Sequence, residues 1–85
     1  MKKRVDELKP GDMVDLQNDR YADPEGFASG GGPGFMSERC QGYGWAYEFV
    51  EVVETERETP ECVRVDFVDC AVGFPPDHLV EVAED

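Results

Sequence analysis

Cys40, Cys62, Cys70 and His78 are the side chains of this 85-residue chain best suited to chemistry. Thiolate sulfur and imidazole nitrogen are the ligands a tetrahedral zinc prefers. Structural zinc sites, however, present paired ligands on tight knuckles, and no two of these four lie closer than eight positions. The same residues could supply a nucleophile and a base. One histidine following Pro75-Pro76-Asp77, without a serine elbow or a cysteine motif, reads more simply as the end of a short turn that Asp77 caps. No catalytic residue, metal ligand or cofactor is therefore assigned, and the chain is expected not to be an enzyme.

Two further patterns invite a ligand. Asp19, Asp23 and Glu25 ahead of Gly26 would offer oxygens to a hard cation, but the spacing misses the alternating carboxylates of a calcium loop, and a solvated acidic turn is the better reading. The run Gly30-Gly31-Gly32-Pro33-Gly34 has the freedom to cradle a phosphate. It lacks the Lys-Ser/Thr that follows the glycines in a phosphate-binding loop, and the first basic residue after the glycines is Arg39.

Large apolar groups beside those glycines are a different matter. Tyr21, Phe27, Phe35, Met36, Tyr43 and Trp45 are expected to contact a partner, because aromatics bury much area with little rotamer entropy lost. Tyr47 is expected in the core. A second surface comes from charge: the net charge is -12, and residues 48 to 85 hold 12 acids against only Arg57 and Arg64. Glu48, Glu51, Glu54, Glu56, Glu58 and Glu61 make the acidic face. This balance argues against direct binding to nucleic acid or an anionic membrane, since phosphate contacts need surface Lys and Arg. A basic protein, or one that normally holds nucleic acid, would be attracted. The plainer alternative is that the acids keep a small protein soluble or belong to a generally acidic proteome.

The elements that must position these groups are short. A chain of this length supports one core, so a single domain over residues 1 to 85 is expected. Pro10-Gly11 ends a lead-in at Val5 to Leu8, which is either one helical turn or extended, and starts a strand in which Val14 and Leu16 share a face. Residues 17 to 44 break every periodicity and hold seven of the nine glycines. Such a stretch is usually functional or disordered, and its apolar residues imply that part of it folds back on the domain or waits for a ligand. A strand from Trp45 to Glu54 changes phase at Phe49-Val50, as a β-bulge does. Glu54 to Glu61 reads as a polar hairpin connection, after which Val63, Val65 and Phe67 alternate cleanly with Cys62, Arg64 and Asp66. In that alternation Cys62 takes the polar phase and is partly exposed unless the long loop covers it. Asp69-Cys70 reverses the chain into Ala71 to Phe74, and Leu79 to Ala83 closes a set of five strands.

Three cysteines cannot all pair within one chain, so a disulfide framework is not expected and the thiols read as free. The basic start has no apolar run behind it, and no run approaches membrane-spanning length, so a cytoplasmic protein is expected.

The order of these parts resembles the Src-homology-3-like small β-barrels. In that class a Lys-Pro-Gly-Asp turn opens the first strand, a long irregular loop follows, three strands form a meander, and one turn of tight helix precedes the last strand. Lys9 to Leu16, residues 17 to 44, the strands around Tyr47, Val65 and Val72, and Phe74 to Val82 take those places. The resemblance implies an all-β, five-stranded barrel with one long Gly-rich loop. It carries no ligand, because the aromatic and acidic signature of the proline-peptide-binding members has no position-by-position match. The segments "LKPGDMVDL", "ETPECVRVDF" and "VGFPPDHLVEV" also look like short uncharacterised acidic proteins of actinobacterial phages, a likeness that would imply a phage origin and supplies no activity. The expected function is a non-catalytic protein-interaction module acting through residues 17 to 44. The alternative is an acidic nucleic-acid mimic that blocks a DNA- or RNA-binding protein, with Asp66 joining the glutamates as a phosphate surrogate.

Overall fold

A computed structural model describes residues 1–17, 19–22, 32–37, 49–68 and 70–84. Within them the protein is all-β: β1 (Lys2–Arg4), β2 (Met13–Asp15), β3 (Val50–Thr59), β4 (Cys62–Phe67), β5 (Ala71–Phe74) and β6 (Leu79–Val82), with a single 3-10 turn at Val5–Glu7. The strands form one open antiparallel sheet in the order β1-β6-β2-β3-β4-β5. Six strands replace the five expected. The added one, β1, is wholly cationic and gives no apolar alternation to read; it is held by backbone pairing of Lys2, Lys3 and Arg4 with Glu81, Val80 and Leu79.

Pro10 and Gly11 occupy the middle of a turn in which the Asp12 amide donates to the Lys9 carbonyl over 3.1 Å. Gly11 has φ of 97°, and a proline followed by a positive-φ residue is the type II pattern. The Asp12 carboxylate accepts from the Lys9 amide and from Lys3 Nζ, which fastens the turn to β1. Burial opposes ionisation of this carboxyl, but the Lys3 ammonium and the Lys9 amide outweigh it and hold its pKa below the ordinary value.

β3 runs five residues further than the sequence suggests. Its polar half stays paired with β4 through Thr59, with Glu58 passed over at a second register shift, so the presumed connection from Glu54 to Glu61 shrinks to a tight turn around Pro60. A register shift falls at Val53, where Val52 pairs with Phe67 and Glu54 with Asp66; the phase change expected at Phe49-Val50 turns on Trp45 and Tyr47, which lie outside the described residues. One unpaired residue there bends the strand and shifts its phase, so that Glu54 follows Val53 on the outer face, opposite Asp66.

Val14, Leu16, Val52, Val65, Phe67, Val72, Phe74, Val80 and Val82 are buried in one cluster. Among the described residues no α-helix covers the sheet, and Val5, Leu8, Ala22 and Met36 contribute to its lid, with Tyr21 packed at the margin. The Met36 side of the lid is the described middle of the long connection. Gly32, Pro33, Gly34 and Phe35 make a second positive-φ turn, and residues 34 to 37 then run along β5, with Met36 bridging Val72. Their bonds include Gly34 amide to Gly73 carbonyl and Gly73 amide to Phe35 carbonyl, both 2.9 Å. Part of the connection therefore folds back on the domain.

That docking decides the state of Cys62. It sits in the polar phase of β4 yet is 1% exposed, because the Gly32 backbone lies over the neighbouring Gly73 and closes the space above the sulfur. Desolvation, reinforced by the charge of Glu58, pushes the thiol pKa up. The expectation of three free thiols needs one correction: Cys62 is free, but Cys70 is disulfide-bonded. No helix among the described residues is long and apolar enough to cross a membrane.

Candidate functional site

The outer face of the β3–β4 hairpin carries the acidic surface. Val63, Val65 and Phe67 point inward, so Arg64 and Asp66 point out, and the register places Glu56 opposite Arg64 and Glu54 opposite Asp66. Glu51, Glu54, Glu56, Glu58 and Glu61 are all exposed. Arg64 Nε donates to Asp66 over 2.9 Å, and its guanidinium lies 5.6 Å from the centre of the Phe35 ring. The Asp66 hydrogen bond raises the Arg64 pKa, and the nearby charges of Glu56 and Glu58 add to that. Arg57 points to the other side, where it reaches Asp6 at 3.9 Å.

Of the expected contact residues, the structure disperses those it describes. Met36 is buried in the core, Phe35 is half-buried beneath Arg64, and Tyr21 packs edge-on against Phe74 and His78. Phe27, Tyr43, Trp45, Tyr47 and Glu48 lie outside the described residues, as do Cys40, Asp23 and Glu25.

A second constellation joins His78 to Asp19 across 2.8 Å. Two successive turns are closed by Asp19 amide to Leu16 carbonyl and Ala22 amide to Asp19 carbonyl. These turns bring Asp19 beside the Pro75–His78 turn, whose own closing bond runs from the His78 amide to the Pro75 carbonyl. The second carboxylate oxygen of Asp19 accepts from the Tyr21 amide, so both of its oxygens are occupied. The imidazole is stacked on Phe74 and met edge-on by Tyr21. In the sequence Asp77 looked like the partner of this turn; the nearer carboxylate comes from a residue 59 positions away.

His78 and Asp19 line a polar groove of about 440 Å³ with Lys2, Asp15, Arg20 and Glu81. Glu81 accepts from the ammonium of Met1, which lowers its pKa, and lies 3.8 Å from Lys2. Among the described residues the lining offers an oriented imidazole together with paired and unpaired charges, and no Ser, Thr or Cys. Among the described residues no three His, Cys, Asp or Glu side chains converge to hold a metal ion.

No family model, curated protein or solved structure matches the chain. The functional reading therefore stands on the geometry of these two surfaces. Of the two, the hairpin face is the more open and the more uniformly charged.

Proposed function

We propose that this protein is a non-catalytic protein-interaction module whose acidic sheet face engages a basic partner protein. The observation that carries the reading is the direct opposition of Glu54 and Asp66 on β3 and β4, with Glu56, Glu58 and Glu61 exposed beyond them. Like charges directly opposite in an antiparallel pair are destabilising, and a surface shaped only for solubility intersperses signs. A face that keeps this repulsion gains speed and selectivity in meeting a cationic surface. Phe27, Tyr43 and Trp45 of the long connection complete the contact region in this reading. Likeness to the Src-homology-3-like barrels is supported by chain order: the Pro10-Gly11 turn into β2, the long connection, the β3–β4–β5 meander, and the Pro75 turn into β6 beside β2, with β1 as an addition.

The test is capture of partners on the immobilised protein at two salt concentrations. Between about 0.1 M and about 1 M salt the screening length falls from roughly 10 Å to roughly 3 Å. Partners held at the lower concentration should be released at the higher one, and a variant with Glu54, Glu56 and Glu58 changed to Gln should not hold them. Capture that survives both changes overturns the reading.

A nucleic-acid mimic is the second reading, favoured by Glu54 and Glu56, which stand on one face of β3 with Glu58 exposed just beyond them. Alternate residues of one strand are about 6.5 Å apart on one face, a spacing that the register shift between Arg57 and Thr59 ends before Glu58. Duplex DNA or RNA added as competitor should then displace the captured protein.

A further inference from the structure

Glu51 sits in an apolar surround that the acidic-face reading does not use. Met13 of β2 is its partner on one side, and on the other the Val68 amide donates to the Glu51 carbonyl over 3.1 Å. Residues paired across an antiparallel ladder share a face, with their Cβ atoms about 5 Å apart. Val53 shares it by the two-residue period along the strand, and Phe49 stands at the bend just before β3 begins. Met13, Val53 and Val68 therefore flank one carboxylate on the outer surface, and exposed Phe49 lies two residues before it in the chain. Phe49 is 45% exposed, Val53 50% and Val68 60%, and Met13 is half-buried. No cation of the described residues pairs with Glu51.

We propose that this rosette is a docking site for an arginine that a partner protein presents between apolar side chains. The inference rests on the interaction-module reading and names the chemistry of the partner. Covering the four apolar groups removes water from Glu51, and a buried carboxylate without a counter-charge is strongly unfavourable. An apolar partner without a cation is thus rejected by the same surface that would attract it. A second copy of this chain, docked about a two-fold axis, would set Glu51 against Glu51. An anionic lipid surface is repelled by the net charge of -12. Arginine fits better than lysine because its guanidinium is less strongly hydrated, matches a carboxylate with two parallel hydrogen bonds, and carries a stem that lies on apolar neighbours.

The experiment is an amide-resolved NMR titration of the full chain with acetyl-Leu-Arg-Leu-amide, with the same peptide carrying citrulline for arginine, and with hexalysine. The arginine peptide is expected to shift the amides of Phe49 to Val53 and Val68 with a dissociation constant of about 1 mM, and the citrulline peptide to bind about 10-fold more weakly. Glu51→Gln and Val68→Ser, both at exposed positions that the core does not need, should each weaken the arginine peptide by a similar factor. Hexalysine should shift Glu54 to Glu61 instead. Equal response to citrulline, no response to the arginine peptide at about 10 mM, or shifts confined to Glu54 to Glu61 would overturn the rosette. If hexalysine still binds at Glu54 to Glu61 in that case, the acidic-face reading stands while the arginine site falls. Concentration-dependent self-association that Val68→Ser abolishes would overturn it too, by identifying a second copy as the occupant.

Discussion

Gly73→Ala tests whether the long connection is part of the fold. A Cβ at position 73 would stand 2.4 Å from the Gly32 carbonyl oxygen and 3.2 Å from Cys62 Sγ. The first contact is with backbone, so no side-chain rotation relieves it. Two responses are open. The 32–37 segment can shift while staying docked, an overpacking cost of about 1–3 kcal/mol. Alternatively it can leave β5, giving up the Gly34, Gly73 and Ser37 backbone bonds at about 1 kcal/mol each and the burial of Met36, 2% exposed, at about 2 kcal/mol. The second route sums to about 5 kcal/mol, so the first prevails and a loss of about 2 kcal/mol is expected. For a chain of 85 residues that lowers Tm by roughly 8–16 °C. Urea unfolding gives the free energy, and the reaction rate of Cys62 with a thiol reagent reports the lid directly, because the shifted backbone no longer seals the sulfur. Unchanged stability together with an unreactive Cys62 would refute the packing of Gly32 on Gly73.

Lys3→Met should cost about 1 kcal/mol at neutral pH, since Lys3 and Asp12 are both mostly buried and 3.0 Å apart. The folded Asp12 pKa is depressed, so its contribution is present above the ordinary carboxylate value near 4 and is lost as pH falls through the lower folded value; unfolding curves of wild type and variant should converge at low pH. Asp19→Ala leaves both the Tyr21 amide and His78 without their acceptor and should cost about 1–3 kcal/mol in chemical denaturation. Glu54→Gln removes a repulsion with Asp66 and should raise stability by about 0.5 kcal/mol, a gain that disappears when melting is repeated at high salt.

How far the sequence could be read depended on where each element draws its stability. β4 and β6 alternate because one face is buried, and both were legible; so was the Pro10-Gly11 turn, whose chemistry is local. β1 was not, because Lys2, Lys3 and Arg4 enter the sheet through backbone bonds alone. The irregularity at Val53 was not legible because apolar character at Phe49, Val50, Val52 and Val53 gives no phase, and pairing with Phe67 and Asp66 sets it. Cys62 followed the polar phase as expected but was buried by a backbone 30 residues earlier in the chain. The acidic positions of the site were visible as a list of glutamates. That Glu54 faces Asp66, and that Glu51 lies between Met13 and Val68, exists only once three strands are in register.

Self-association gives a last, sharper measure of what Glu51 does. Strand addition at the sheet edges is opposed at both ends: residues 34 to 37 already occupy β5, and β1 offers only three residues, all cationic. The outer face around Glu51 is then the place where copies would meet, through Phe49, Val53, Val68 and Met13. A two-fold contact there brings two carboxylates together in an apolar setting, which is strongly unfavourable unless a cation intervenes. Glu51→Leu removes that obstacle and leaves a continuous apolar patch. The variant is expected to dimerise at concentrations where the wild type sediments as a monomer, and added salt, which screens the remaining repulsion between acidic chains, should strengthen the dimer. A Glu51→Leu protein that stays monomeric at every concentration and salt would mean that the four apolar side chains do not form one surface, and the arginine site would lose its walls.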